Sequence, residues 1–387
     1  MRKTLPHLPR YHLHRQEFMT KKIALFAYEF PHRKTSDFIL EALACGFRDI
    51  VVLAAGKKIL KHQDKTKYFE TSLLHCPPIS SPKLCAQLNI PFYLVEHDDL
   101  EKISEIIKNH SIDTGIIAGA RIIKSNIIDL FKNGIVNFHP GKIPETSGLD
   151  SFFYTLINNV AAGVTTHFID HRVDAGKMVF FDEATTSASA TPETIIENVY
   201  QLQIVALRRV LSMLRAGEIQ SEDIDRPAKN APMKSEEKVT ALSHFPRWRA
   251  SQVLIQAKTQ LFNAIESGNF LIVKNIINEF PNFIFETNNR GWTPLITAAF
   301  ENNAQIVNFL LQSGANPNAC GLKGTTVLMY AKTKLLNKKY ATYELLDLLI
   351  ANGADVARTD CFGKNVLDYV RDSGDKKMYE FFQKVSN

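Results

Sequence analysis

Two segments of similar sequence, GWTPLITAA from Gly291 and GTTVLMYAK from Gly324, stand 33 residues apart in a chain of 387. Similar helix ends recur with them, QSGANPNA from Gln312 and ANGADVAR from Ala351. A glycine turn ahead of two short helices, at a fixed period, restricts the fold more than any other feature of the sequence. Such a unit leaves one face apolar and cannot bury it alone, so neighbouring copies must stack. A degenerate earlier copy, QLFNAIESGNFLIVKNIINEF, starts near Gln260, and a truncated last copy, GKNVLDYVRDSGDKKMYEFF, starts at Gly363. The third copy carries an insertion around Leu336 to Ala341.

The period and the turn glycines resemble ankyrin repeats, which implies an all-α stack over residues 257–387. The earlier part of the chain reads differently. Continuous apolar runs at KIALFAY from Lys22, at IVVLAA from Ile50, at Pro91–Val95 and at Thr114–Ala118 alternate with amphipathic helical patterns. Runs of that kind are buried strands, and the alternation predicts an open, Rossmann-like parallel α/β sheet over residues 20–217. Thr35 or Ser36 is expected to cap the first helix. Thr191-Pro-Glu is expected to start a long one that ends at Gly217. Residues 218–256, with Pro227, Pro232 and Pro246, read as a connecting region. Residues 1–19 lack periodicity and read as a poorly ordered arm, with Met19 as an alternative start.

Chemistry concentrates between Ile135 and Gly176. Asn137 and His139 close an apolar run and lie two apart, so in an extended strand they share a face. Pro140 and Gly141 end that strand, at the carboxyl edge where open α/β sheets hold ligands. Asp174 sits on a turn after a second strand-like run, Val164–Ile169. An amide and an imidazole can hydrogen-bond a developing oxyanion, while a carboxylate orients the imidazole and takes a proton. Taken singly, each of the three is a common turn or capping residue.

The frame around them, NFHPGKIPETSG followed by GVTTHFIDHRVDAG, resembles the formyltransferases that use N10-formyltetrahydrofolate. The resemblance runs from about Lys21 to about Leu214. It implies N-formyl transfer with Asn137, His139 and Asp174 as the catalytic set. Ser147 stands where that family has an arginine before Gly148. The same resemblance places the pterin of the formyl donor against the strand end Ala118, Gly119, Ala120 and Arg121, where small residues let a flat ring approach the main chain. It leaves the role of His167 open. His32, Arg33 and Lys34 precede a helix start, and two cations beside helix-terminal amides make a phosphate site, with a solvated turn as the alternative. Lys142, Glu145 and Asp150 lie near the centre as substrate contacts or surface charges. Trp292 follows a repeat's first glycine and is expected to face solvent. It is either an auxiliary nucleotide or partner site, or it packs on the connecting region or the catalytic domain.

The ankyrin extension makes the chain similar to sugar N-formyltransferases acting on a dTDP-3-amino-3,6-dideoxyhexose of Qui3N or Fuc3N type, for O-antigen or other surface polysaccharide. The alternatives are a UDP-amino sugar, methionyl-tRNA, or an inactive fold serving as an ankyrin scaffold. In this family a methionyl-tRNA enzyme carries a β-barrel after the catalytic domain, where this chain has ankyrin repeats. A homodimer is expected from the family only. Five scattered cysteines without ligand spacing, and no HExxH, predict reduced thiols and no metal. No apolar run reaches membrane-spanning length and no signal-peptide core is present, so a cytoplasmic protein without a membrane partner is expected. A net charge of +6 decides nothing about nucleic acid, and none is expected as a partner.

Overall fold

The computed structural model describes residues 22–57, 79–172, 174, 176–217, 219–224, 230–337 and 342–386. The expected N-terminal arm, most of the polar stretch after Gly56, and much of the insertion in the third repeat lie outside these residues. The chain divides into two compact units, 1–249 and 250–387.

The first unit runs β1 (Ile23–Tyr28), α1 (Arg33–Ala44), β2 (Ile50–Ala55), α2 (Ser81–Leu88), β3 (Phe92–Leu94), α3 (Leu100–His110), β4 (Thr114–Ile117), α4 (Ser125–Ile128), β5 (Ile135–His139), α5 (Ser151–Ile157), β6 (Gly163–Phe168), β7 (Lys177–Glu183), α6 (Pro192–Ala216), β8 (Glu222–Asp223) and α7 (Ser235–Ser243). One eight-stranded sheet has the order β3-β2-β1-β4-β5-β6-β7-β8. β1 to β5 are parallel. β6, β7 and β8 add antiparallel strands at one edge of this parallel-dominant sheet. β6 and β7 are joined by a short turn with no room for the helical crossover that a parallel pair requires.

Chain order reverses at β1 and β4, so the crevice at their carboxyl ends is the ligand position of such a sheet. Helices cover the sheet through Phe38, Ile39, Ile195, Val199, Leu207 and Val210, all buried. Part of the connecting region is packed into the first unit. Trp248 is 1% exposed within the sheet's core, and its indole N–H donates to the Val160 carbonyl at 2.8 Å.

α6 begins and ends as its sequence predicts. Thr191 accepts from the Thr194 amide, and Gly217 closes the helix at a φ of 79°. α1 begins earlier than expected. Its cap is His32, whose ring accepts from the Thr35 amide at 3.3 Å. An imidazole in that role is invisible to a reading that looks for Ser, Thr, Asp or Asn.

Helix α8 (Phe245–Glu266) leads into the second unit, which contains α9 (Phe270–Glu279), α10 (Pro294–Phe300), α11 (Ala304–Gln312), α12 (Val327–Ala331), α13 (Glu344–Ala351), α14 (Val366–Ser373) and α15 (Lys376–Ser386). Three of the repeats open on a tight turn whose glycine has positive φ: Gly291 at 70°, Gly324 at 75° and Gly363 at 70°. Thr293, Thr326 and Asn365 then cap the first helix of their repeats. Leu295, Ile306, Leu310, Leu328, Leu346 and Val370 build one continuous apolar core through the stack.

Candidate active site

β5 carries the site. Asn137 and His139 face one side of it, and the antiparallel register sets Asn137 opposite His167 and His139 opposite Thr165. The Asn137 amide nitrogen lies 3.2 Å from His167 Nε2. His139 is 4% exposed. Its Nε2 lies 2.9 Å from the Thr146 carbonyl, which can only accept, so Nε2 carries a proton. Its Nδ1 lies 3.4 Å from Asp174 Oδ1.

The loop between His139 and α5 is folded around this pair. Thr165 Oγ1 donates to the Gly141 carbonyl at 2.6 Å and accepts from the Ile143 amide at 3.1 Å, tying the loop to β6. The loop then presents the Thr146 carbonyl to His139 and the Gly148 amide to Asp174 Oδ2, the latter at 2.6 Å. Gly148 has a φ of 96°, and a Cβ there would meet the Asn230 carbonyl at 3.0 Å, so glycine is needed at this approach. Asp174 itself adopts a left-handed backbone, φ 48°. Burial pushes its carboxyl up. The hydrogen bond and charge of His139, with the Gly148 amide, outweigh burial and hold it below the usual carboxylate range. Ser147, at the family's arginine position, donates to the Pro144 carbonyl at 3.0 Å.

The other residues singled out in the sequence have different surroundings. Arg33 makes two 2.8 Å bonds to Glu197 and lies over the Tyr200 ring. Lys34 donates to the Phe138 carbonyl at 3.3 Å, and burial lowers its ammonium to about 7. Burial and the Lys34 charge lower His32 to about 4. Two cations and a histidine that read as a phosphate loop are therefore occupied within the fold.

Asp150 is likewise engaged, by Lys238 at 2.9 Å and by the Met233 amide at 2.9 Å. Lys142 and Glu145 pair at 3.2 Å and remain partly exposed. At the β4 end, Ala118 is buried, and a Cβ on Gly119 would meet His32 Cε1 at 2.8 Å. Arg121 bonds Glu96 and the Gly56 carbonyl, and Ile122 beside it is 74% exposed. Trp292 does not stand free in solvent. It packs within its own stack, with ring centroids 5.0 Å from Phe300 and 4.7 Å from Tyr330. Among the described residues no group of three or more His, Cys, Asp or Glu could hold a metal ion, and no helix is long and apolar enough to cross a membrane.

His167 is the residue that sequence reasoning left without a role. Only strand register brings it to Asn137, and the available signal was its place in the GVTTHF strand.

Residues 50–211 match a family model described as formyl transferase, and residues 235–321 and 261–360 match ankyrin repeats. The chain joins a formyltransferase domain to ankyrin repeats. Curated relatives of the formyltransferase domain include the methionyl-tRNA formyltransferase of Elusimicrobium minutum (strain Pei191), 32% identical over 146 residues, covering 35% of this chain and 44% of that protein. The trifunctional purine biosynthetic protein adenosine-3 of Gallus gallus is 26% identical over 120 residues, covering 30% of this chain and 12% of that protein. Among solved structures, a sugar N-formyltransferase from Shewanella sp FDAARGOS_354 aligns with a TM-score of 0.41 and 16% identity, over 58% of this chain and 87% of that one. The chain spans about half or less of the length of the curated relatives it matches. The matched formyltransferase segment contains Asn137, His139 and Asp174. It begins at β2, after the loop that holds His32, Arg33 and Lys34.

Proposed function

We propose that the protein transfers the formyl group of N10-formyltetrahydrofolate to the amine of a dTDP-3-amino-3,6-dideoxyhexose. The observation that carries the chemistry is the convergence of Asn137, His139 and Asp174 at the end of β5. The neutral amine attacks the formyl carbon, and the carbonyl oxygen gains negative charge. Asn137 has two amide hydrogens, so one can meet that oxygen while the other engages His167. With Nε2 donating to the Thr146 carbonyl, Nδ1 faces Asp174 at 3.4 Å, and a proton held between Nδ1 and that carboxylate can be lent to the oxyanion as it forms. Asp174 holds the imidazole and receives the amine's proton. The carbon–nitrogen bond to the folate then breaks, and the proton that Asp174 took from the amine passes to the departing folate nitrogen.

The donor's flat ring is assigned to the edge at Ala118–Arg121. That placement follows the family resemblance; Ile122 offers exposed apolar surface there, while the open side of Gly119 is taken by His32. The amino sugar rests on the pairing of a formyltransferase domain with ankyrin repeats. The packing of Trp292 inside the stack makes it a support for any nucleotide site there, not a free platform. A second reading, methionyl-tRNA as acceptor, is favoured by the identity to methionyl-tRNA formyltransferases.

The test is to incubate the full chain with the formyl donor and, separately, dTDP-3-amino sugars, UDP-amino sugars and methionyl-tRNA, and to weigh the products. Formylation of a dTDP-3-amino sugar is expected. Formylation of methionyl-tRNA alone would replace this reading with the second. No product and no folate binding would leave the binding-scaffold alternative.

A further inference from the structure

Within β5, the Ile135 carbonyl accepts from the Ile169 amide on the β6 side. Successive carbonyls of a strand alternate in direction, so that of Phe138, three residues on, points toward β4. The parallel ladder on that side pairs Gly115 with Ile135 and Ile116 with Val136 and goes no further. Asn137, Phe138 and His139 thus project past it, bound to β6 on one side only. Lys34 Nζ donates to the Phe138 carbonyl at 3.3 Å, in the place where a ladder donor would stand. The next residue, Thr35, donates its hydroxyl to the Ala118 carbonyl at the β4 end. The first turn of α1 therefore ties together the ends of the two strands.

We infer that Lys34 is a positioning residue for formyl transfer: its ammonium holds the Phe138 peptide, and through it fixes Asn137 and His139 on the reacting face. This inference rests on the proposed function for its catalytic consequence, but not for its structural content. The ammonium lies over the Phe38 and Phe138 rings. The nearby charged groups on α1 are Arg33 and Asp37, which bond Glu197 and Tyr200 of α6, and the ring of His32 precedes them. Burial is the cause that lowers Lys34 to about 7, while His32 titrates far lower, at about 4. His139, joined to this carbonyl through the peptide bond, and His167 and Asp174 also lie at this strand end, so it is loss of the transition in Lys34→Met that assigns it to Lys34.

The sequence allows that carbonyl to be observed alone, because Phe138–His139 is its one Phe–His step. Labelling with carbonyl-13C phenylalanine and 15N histidine gives a single coupled signal from this peptide in the full chain. The expected result is a Phe138 carbonyl shift that titrates near pH 7 in the wild type. In Lys34→Met the transition is absent, and in Lys34→Arg the carbonyl stays at its low-pH position. Turnover on the acceptor the wild type uses is expected to fall about tenfold in Lys34→Met, with KM little changed, and to recover partly in Lys34→Arg. A carbonyl that titrates identically in Lys34→Met, or does not titrate in the wild type, overturns the inference. A wild type that formylates none of the amines would end the functional reading, and the carbonyl signal would still decide the role of Lys34.

Discussion

Two strand ends of one sheet hold the polar residues that the sequence made conspicuous, and they use them in opposite ways. At the end of β1, Arg33 is held by Glu197, Lys34 by the Phe138 carbonyl, and His32 caps α1. At the end of β5, Asn137, His139 and Asp174 converge, with a carboxylate on a left-handed turn and a long contact to the imidazole. The first end engages its polar groups with partners inside the fold. The second gathers polar groups where the proposed reaction develops charge. Charge written in a sequence is therefore not charge available to a ligand, and the difference lies in which partners the fold delivers.

The largest effects are expected at β5. Asp174→Asn keeps the size of the side chain but loses the proton acceptor, and turnover should fall by about a hundredfold or more. Asn137→Ala removes an oxyanion donor and should cost about a hundredfold in kcat, with little change in KM. Steady-state kinetics on the identified acceptor check both, and a wild-type rate in either would erase the contrast between the strand ends. At β1 the effect of Arg33→Ala should fall on stability. Loss of a half-buried bidentate pair is expected to cost about 1–2 kcal/mol in denaturant unfolding, with turnover nearly unchanged. A large rise in KM with stability intact would instead show Arg33 to be a ligand residue.

Acid and base sharpen the same contrast. The Asp174 carboxyl lies below its ordinary range in the fold, so its contribution to stability is present above about pH 4 and is lost as pH falls through the folded value. Asp174→Asn should thus lie below the wild type in neutral stability, with the gap closing in acid. Lys34 has the opposite sense. Its ammonium is lowered from 10.5 to about 7, so between those values the unfolded chain binds more protons and stability rises with pH. Lys34→Met should accordingly be more stable than the wild type at and below neutrality, although it turns over more slowly. Melting curves across pH test both signs.

What was legible in the sequence follows from distance along the chain. Asn137 and His139 were readable as one face because strand geometry fixes residues two apart, and the repeat glycines because only a tight turn wants them at that period. The partner that occupies Arg33 lies 164 residues away, and His167 meets Asn137 only through strand register. Neither can be seen in local pattern. The capping imidazole of His32 broke a propensity rule. Trp292 looked exposed because its turn was read alone, whereas it is partly buried against Phe300 and Tyr330 of its own stack. Trp292→Ala should lower the stability of the stack by about 1–2 kcal/mol in denaturant unfolding, because the ring is only partly buried.

The most direct measurement is single-turnover formyl transfer by the full chain, mixing wild type, Asp174→Asn and Arg33→Ala with N10-formyltetrahydrofolate and a dTDP-3-amino sugar. The expected result is one formyl group gained on the sugar at comparable rates with wild type and Arg33→Ala, and about a hundredfold more slowly with Asp174→Asn. Equal rates for all three, or loss with Arg33→Ala alone, would contradict the placement of the chemistry at the end of β5.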